Sequence, residues 1–288
     1  MDSRTEATHT HEGMWRDVHS SPARSTDRYL FDNSAVDWAA QRFTALETCY
    51  DPVSRRNLAR TGAGPGWRCL EVGGGNGSVG TWLAEQVGPS GDVVVTDIAP
   101  SSGVPAPSHD NLRVLQHDVV RDALPEGEFD LVHARLVLLH LPQRHAVLRR
   151  LIRSLKPGGH LVLEEFDCGH LPVLHAPEGS GSLFVRVHEA LMSCLADAGA
   201  DPLWGRRVHG ALVDAGCEGV RSSVHAESWH GGDAGMSLHH ANTAQARPEL
   251  LDAGVSEDEL AAFWRLLDTP GFAVQSYPLV AAHGHRPR

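Results

Sequence analysis

Lysine is nearly missing from this chain. Of 25 basic side chains in 288 residues only Lys156 is a lysine, and 36 acidic residues leave a formal net charge of −11. Nucleic-acid binding rests on clustered Lys and Arg against phosphates, and no basic stripe with interleaved aromatics is present, so no nucleic-acid partner is expected. The arginine skew reads as genomic base composition. Cysteines are few and scattered: Cys49, Cys69, Cys168, Cys194 and Cys217 form no C-x-x-C pair, which speaks against a disulfide framework or a zinc site. No carboxylate-rich triad suggests a metal, and His230, His239 and His240 lack ligand spacing, so no metal is expected. Long apolar runs are missing too. None approaches the roughly 20 residues that span a bilayer, and MDSRTEATHTHEG lacks the apolar core of a signal peptide. The expectation is a soluble cytoplasmic protein with no membrane partner.

What is present reads as alternation. Residues 1–27 are Ser/Thr/His/Arg-rich without periodicity and are expected to be a disordered tail. Residues 28–65 form a helical N-terminal cap: Val36, Ala39, Ala40, Phe43, Leu46 and Glu47 keep three-four spacing, and Asp51-Pro52 is expected to restart a helix. Residues 66–288 then carry the main domain, with helical insertions after about 170 and at about 235–270. RCLEV, DVVVTDI, LRVLQHDV, FDLVHA and HLVLEEFD read as strands, GSVGTWLAEQVG and QRHAVLRRLIRSLKPGG as helices. Such β-α alternation predicts an α/β, doubly wound parallel sheet covered on both faces. Further on, GVRSSVHAESWHG reads as one strand, Ser256-x-x-Glu259 as a capping box opening a helix, and FAVQSYPLVAAHG as a strand pair or one long strand.

The first β-α turn is glycine-rich, Gly73-x-Gly75-x-Gly77, and an open parallel sheet binds its ligand outside such turns. Glycines alone do not separate a dinucleotide from another adenosyl ligand. Glu71 does: a carboxylate beside this cradle repels a pyrophosphate but suits an ammonium and a sulfonium. Asp97, ending the second strand beside Ile98, suits two ribose hydroxyls, and Asp118, ending the third beside Val119, suits an adenine amino group. Three acids ending successive strands fit a cationic nucleoside, S-adenosyl-L-methionine.

Residues 67–167 resemble the class I S-adenosylmethionine-dependent methyltransferases. The resemblance lies in Glu71-x-Gly73-x-Gly75-x-Gly77, Asp97, the HDV around Asp118, FDLVHARLVLLHL at 129–141 and LKPGGHLVLEE at 155–165. YLFDN (Tyr29 to Asn33) and the closing region resemble a bacterial subgroup common in specialised metabolism. The resemblance implies a Rossmann-like seven-stranded sheet whose last strand is antiparallel, supplied by FAVQSYPLVAAHG, with helical cap elements. It also implies that Glu71 lies near the methionine amino group, that Arg135 meets the methionine carboxylate, and that Tyr29 closes over the same end.

Methyl transfer is an in-line displacement at an activated carbon, and a base is needed only for a protonated acceptor. Among 19 histidines, His170 follows the fifth strand on the acceptor side and is the candidate base; His140 reads as packed against the sheet. Trp229, Met236, Phe263 and Trp264 offer apolar surface for a small-molecule acceptor, aromatic or polyketide-like. A homodimer is compatible with the apolar roof. Fold alone leaves a second reading open, a non-methylating lyase, cyclase or accessory binding protein on the same fold; an NAD-dependent dehydrogenase is a more distant third.

Overall fold

The computed structural model describes residues 30–31, 36–100, 109–177 and 179–288. The expected N-terminal tail and Tyr29 lie outside these residues. The first helix, α1 (Val36–Ala59), runs unbroken through Pro52, where the sequence suggested a restart. A proline removes one helix hydrogen bond at a cost of about 3 kcal/mol. Against that, Tyr50, Val53 and Leu58 are all buried on the same helix, each contributing about 1.5–3 kcal/mol.

Then follow β1 (Arg68–Val72), α2 (Ser78–Val87), β2 (Asp92–Asp97), β3 (Leu112–Gln116), β4 (Phe129–Arg135), α3 (Arg144–Ser154) and β5 (Leu155–Phe166). The second half holds β6 (Val173–His175), α4 (Gly181–Asp197), α5 (Val208–Asp214), β7 (Glu218–His225), β8 (Ser228–His230), α6 (Ala234–Gln245), α7 (Arg247–Asp252), α8 (Glu257–Leu267), β9 (Ala273–Gln275) and β10 (Leu279–His285). The α8 capping box forms as the sequence predicted, with Ser256 and Glu259 each bonding the other's backbone.

Seven strands make one sheet in the order β3-β2-β1-β4-β5-β10-β7. The first five are mutually parallel, and β10 runs antiparallel to both β5 and β7. The doubly wound sheet with a reversed last strand is therefore as the sequence implied. Its central strands carry apolar side chains on both faces, and two buried clusters result. Leu70, Val72, Val132, Ala134 and Leu163 belong to one, Cys69, Val93, Val95, Leu131 and Val162 to the other.

The run read as one strand divides, and the run read as a strand pair or one long strand forms two strands. The GVRSSVHAESWHG and FAVQSYPLVAAHG runs each contribute one strand to the main sheet and one to a small sheet, β6-β9-β8. The crossing is held by a reciprocal pair of bonds, Ser276 N to Glu227 O (2.7 Å) and Glu227 N to Ser276 Oγ (3.0 Å). A local pattern shows that a run is extended; it does not show that two runs bend together into a second sheet.

Candidate active site

Strand order reverses between β1 and β4, so a crevice opens at their carboxyl ends. Gly73 and Gly74 both donate to the Thr96 carbonyl (2.7 and 3.1 Å), and Gly77 N donates to Gly74 O at 2.8 Å, which folds the turn tightly. Gly73, Gly75 and Gly77 have φ of 69°, 56° and 78°, left-handed values that side chains avoid. Space matters as well: a Cβ on Gly73 would stand 2.4 Å from Val137 Cγ2, and one on Gly75 2.9 Å from Phe43.

Asp97 reaches this turn from the end of β2. Its Oδ2 accepts from Gly75 N (3.1 Å) and its Oδ1 from Ala99 N (3.0 Å). Ile98 beside it is 57% exposed, an apolar side chain standing at the crevice edge. Asp118 lies two residues beyond β3, its Oδ1 accepting from Val120 N (2.8 Å), with Val119 buried next to it. At the end of β4, Arg135 donates to Asp51 Oδ1 (2.9 Å) and Ser54 Oγ (2.9 Å), both on α1. The next residue, Leu136, holds φ 56°, a strained value for a leucine of the kind that gathers at working sites.

Beneath the turn lies a row of buried polar groups. Glu71 and His133 face each other across β1 and β4, with Oε1 3.7 Å from Nδ1. His133 Nε2 lies 3.4 Å from Glu164 Oε2 on β5. Glu164 also accepts from Asn57 Nδ2 (2.8 Å) and from Ser54. Burial alone would push the His133 pKa down, but the carboxylates of Glu164 and Glu71 prevail and raise it to about 9. Burial works against the Glu164 carboxylate, yet His133, Arg135 and Asn57 hold its pKa below the ordinary value. His133 is thus an imidazolium between two carboxylates. Among the described residues Glu71 Oε2 has no hydrogen-bond partner, and it sits against Gly74 and Gly80.

Sequence reasoning singled out Glu71 and Arg135 but missed His133, Glu164, Asp51, Ser54 and Asn57. Polar residues inside otherwise apolar strands, FDLVHAR and HLVLEEF, were the available signal. The α1 residues gave none, because their register over the sheet is a tertiary fact.

A small cavity, about 30 Å³, abuts the ends of β4 and β5. Phe31, Leu46, Leu139, Met192, Leu238 and Tyr277 supply apolar walls, and Arg42, His140 and Asn242 polar ones. Burial, with Arg42 and Arg144 nearby, lowers the His140 pKa to about 3; burial lowers His188 to about 4 and His239 to about 3. These imidazoles are neutral at ordinary pH. His170 is exposed in the segment after β5 and does not line the cavity. Trp229, Met236 and Phe263 are buried in the apolar core and do not line the cavity. Among the described residues no group of His, Cys, Asp or Glu could hold a metal ion, and no helix is long and apolar enough to cross a membrane.

The sequence model of a methyltransferase domain family, Methyltransf_23, matches residues 14–228. This chain belongs to the S-adenosylmethionine-dependent methyltransferases. The methyltransferase is 33% identical over 196 residues to "Methyltransferase str3" of Strobilurus tenacellus, a match covering 67% of either chain. A second protein of that organism, str2, is 32% identical over 144 residues, 48% of this chain and 49% of that one. It is also 32% identical over 176 residues to the ubiquinone/menaquinone biosynthesis C-methyltransferase UbiE of Ectopseudomonas mendocina, covering 57% of this chain and 67% of the relative. Among solved structures, a Bacillus halodurans protein described as a methyltransferase superposes with a TM-score of 0.55 at 16% identity, over 81% of this chain and 98% of that one. Haemonchus contortus phosphoethanolamine N-methyltransferase 2, bound to S-adenosylhomocysteine, also gives 0.55 at 14% identity, over 92% and 61%. At those identities the likeness is one of fold. The cofactor is S-adenosylmethionine, and the crevice is compatible with it: glycines where side chains would collide, and Asp97 and Asp118 at the strand ends beside them.

Proposed function

We propose that this methyltransferase acts on a small, largely apolar acceptor of specialised metabolism. The observation that carries the reading is the cavity against the β4 and β5 ends, walled by Phe31, Leu46, Met192, Leu238 and Tyr277. At about 30 Å³ it is water-sized as it stands, so a metabolite enters only as the surrounding side chains give way and displaces what water is there. When bound, S-adenosylmethionine supplies a methyl carbon already activated by its sulfonium.

The chain's own part is to position and to exclude water. In this reading Asp97 receives the ribose hydroxyls, Asp118 the adenine amino group between Ile98 and Val119, and Arg135 the methionine carboxylate. The backbone of Gly73, Gly75 and Gly77 lies along the amino-acid end, Glu71 lies near the methionine amino group, and Tyr29 closes over the same end. His170, just beyond β5 and outside the cavity's lining as it stands, is the proposed base for a protonated acceptor that extends to it.

A second reading, methylation at carbon, is favoured by the UbiE relatives and by the cavity's lack of an imidazole titrating near neutral pH. Both readings are tested by incubating the protein and His170→Ala with S-adenosylmethionine and a panel of phenols, naphthols and quinols. S-adenosylhomocysteine together with a product heavier by one methyl group is expected. Turnover confined to small charged amines would overturn the apolar assignment, and an unchanged rate for His170→Ala would remove it as base. The product's NMR spectrum distinguishes oxygen from carbon.

A further inference from the structure

The cavity at the β4 and β5 ends is walled mainly by apolar side chains, yet α6 turns an amide into it. Leu238 and Asn242 stand one turn apart on that helix and both line the space, together with Leu191, Met192 and Leu195 of α4. Asn242 is 8% exposed. Among the described residues, its Oδ1 is the one cavity-lining side-chain atom that is buried without a hydrogen-bond partner. Neighbouring polar groups are engaged. The Tyr277 hydroxyl meets Nδ1 of His239, three residues before Asn242, at 3.2 Å, and the Arg42 guanidinium lies over the Phe31 ring, 4.9 Å from its centroid.

A buried amide oxygen with no donor destabilises the fold, and native structures rarely keep one. Asparagine is also a weak helix former, and a leucine of similar size would suit both the helix and the surrounding apolar wall better. Packing therefore does not account for Asn242, whereas a donor brought in by the acceptor does. No carboxylate lines the cavity among the described residues, so an ammonium would be stripped of water without a counter-charge; a neutral hydroxyl would not. We propose that Asn242 sets acceptor specificity: its Oδ1 accepts a hydrogen bond from a hydroxyl carried on an otherwise apolar acceptor and so fixes that molecule's orientation. The inference rests on the reading of this cavity as the acceptor site and names the group that the site selects.

The test is equilibrium dialysis of the full chain, saturated with S-adenosylhomocysteine, against two probes of nearly equal shape: 1-naphthol, and 1-fluoronaphthalene, which has no donor. The affinity ratio of the two should fall roughly tenfold in Asn242→Leu, because the hydroxyl loses its acceptor and the fluoro compound no longer strands one. Asn242→Ala, which cannot crowd the cavity, should lower the ratio in the same direction. Asn242→Asp keeps an accepting oxygen in either protonation state and should not lower it. Asn242→Leu should also melt no lower than wild type, since it replaces an unpartnered amide with an apolar side chain. A ratio unchanged in both apolar variants, with the two probes weakened alike, would make Asn242 a wall of the cavity and overturn the proposal. Binding of S-adenosylhomocysteine but of neither probe by wild type would overturn the acceptor-site reading itself, and the inference with it.

Discussion

At the scale of single residues, the crevice is built from side chains whose bonds are already partly committed. Asp97 accepts from Gly75 N and Ala99 N, so its carboxylate is pre-oriented rather than searching, and each oxygen keeps a further lone pair for a hydroxyl. Asp97→Asn keeps the shape and removes the charge, and converts one acceptor atom into a donor. A charge-assisted hydrogen bond contributes about 1.5–3 kcal/mol, so affinity for S-adenosylmethionine should fall roughly ten- to hundredfold, read by calorimetry, and the melting temperature should fall as well, because one of the two backbone N–H donors loses its acceptor. This acid was legible from the sequence because its place at a strand end is fixed by local spacing.

At the scale of elements, the Glu71–His133–Glu164 row ties β1, β4 and β5 together, and Ser54 and Asn57 tie α1 to the same row. A buried charge pair is not in itself strong evidence of stability, but removing one partner leaves the others stranded in low dielectric. His133→Leu deletes the cation between two carboxylates and should cost about 3–5 kcal/mol in urea unfolding. Adding Glu164→Leu to that variant should recover part of the loss, since one stranded carboxylate goes with it. If the single variant unfolds like wild type, His133 is not the charged centre described here. None of these links follows from strand patterns. Asn57 and Glu164 stand 107 positions apart, and only packing of α1 on the sheet brings them to 2.8 Å.

At the scale of the whole molecule, two buried groups give stability the same dependence on pH. His133 holds its proton to about 9 in the folded state, against about 6.5 when unfolded. Its contribution is therefore complete below about 6.5 and is lost as pH rises through about 9. Glu165 is pushed by burial to about 8, despite donors from the Leu138 and Leu139 backbone. Being raised above its unfolded value, it too contributes stability at low pH that declines as pH rises to about 8. Unfolding free energy should thus fall between roughly pH 6.5 and 9, and urea midpoints across that range will show it. Glu165→Gln should make the fall shallower, and a midpoint that rises over the interval would contradict both assignments.

The sequence by itself determined the strands, the glycine turn and the acids at the strand ends, hence the cofactor class, because each depends on residues within a few positions of one another. Tertiary structure decided the rest. It chose which sheet each late strand joined, carried α1 unbroken through Pro52, and set the register that brings Asp51 and Ser54 to Arg135 and Asn57 to Glu164. It also decided charge. Whether His133 carries a proton is a matter of which carboxylates the fold places beside it, and no local pattern contains that distance.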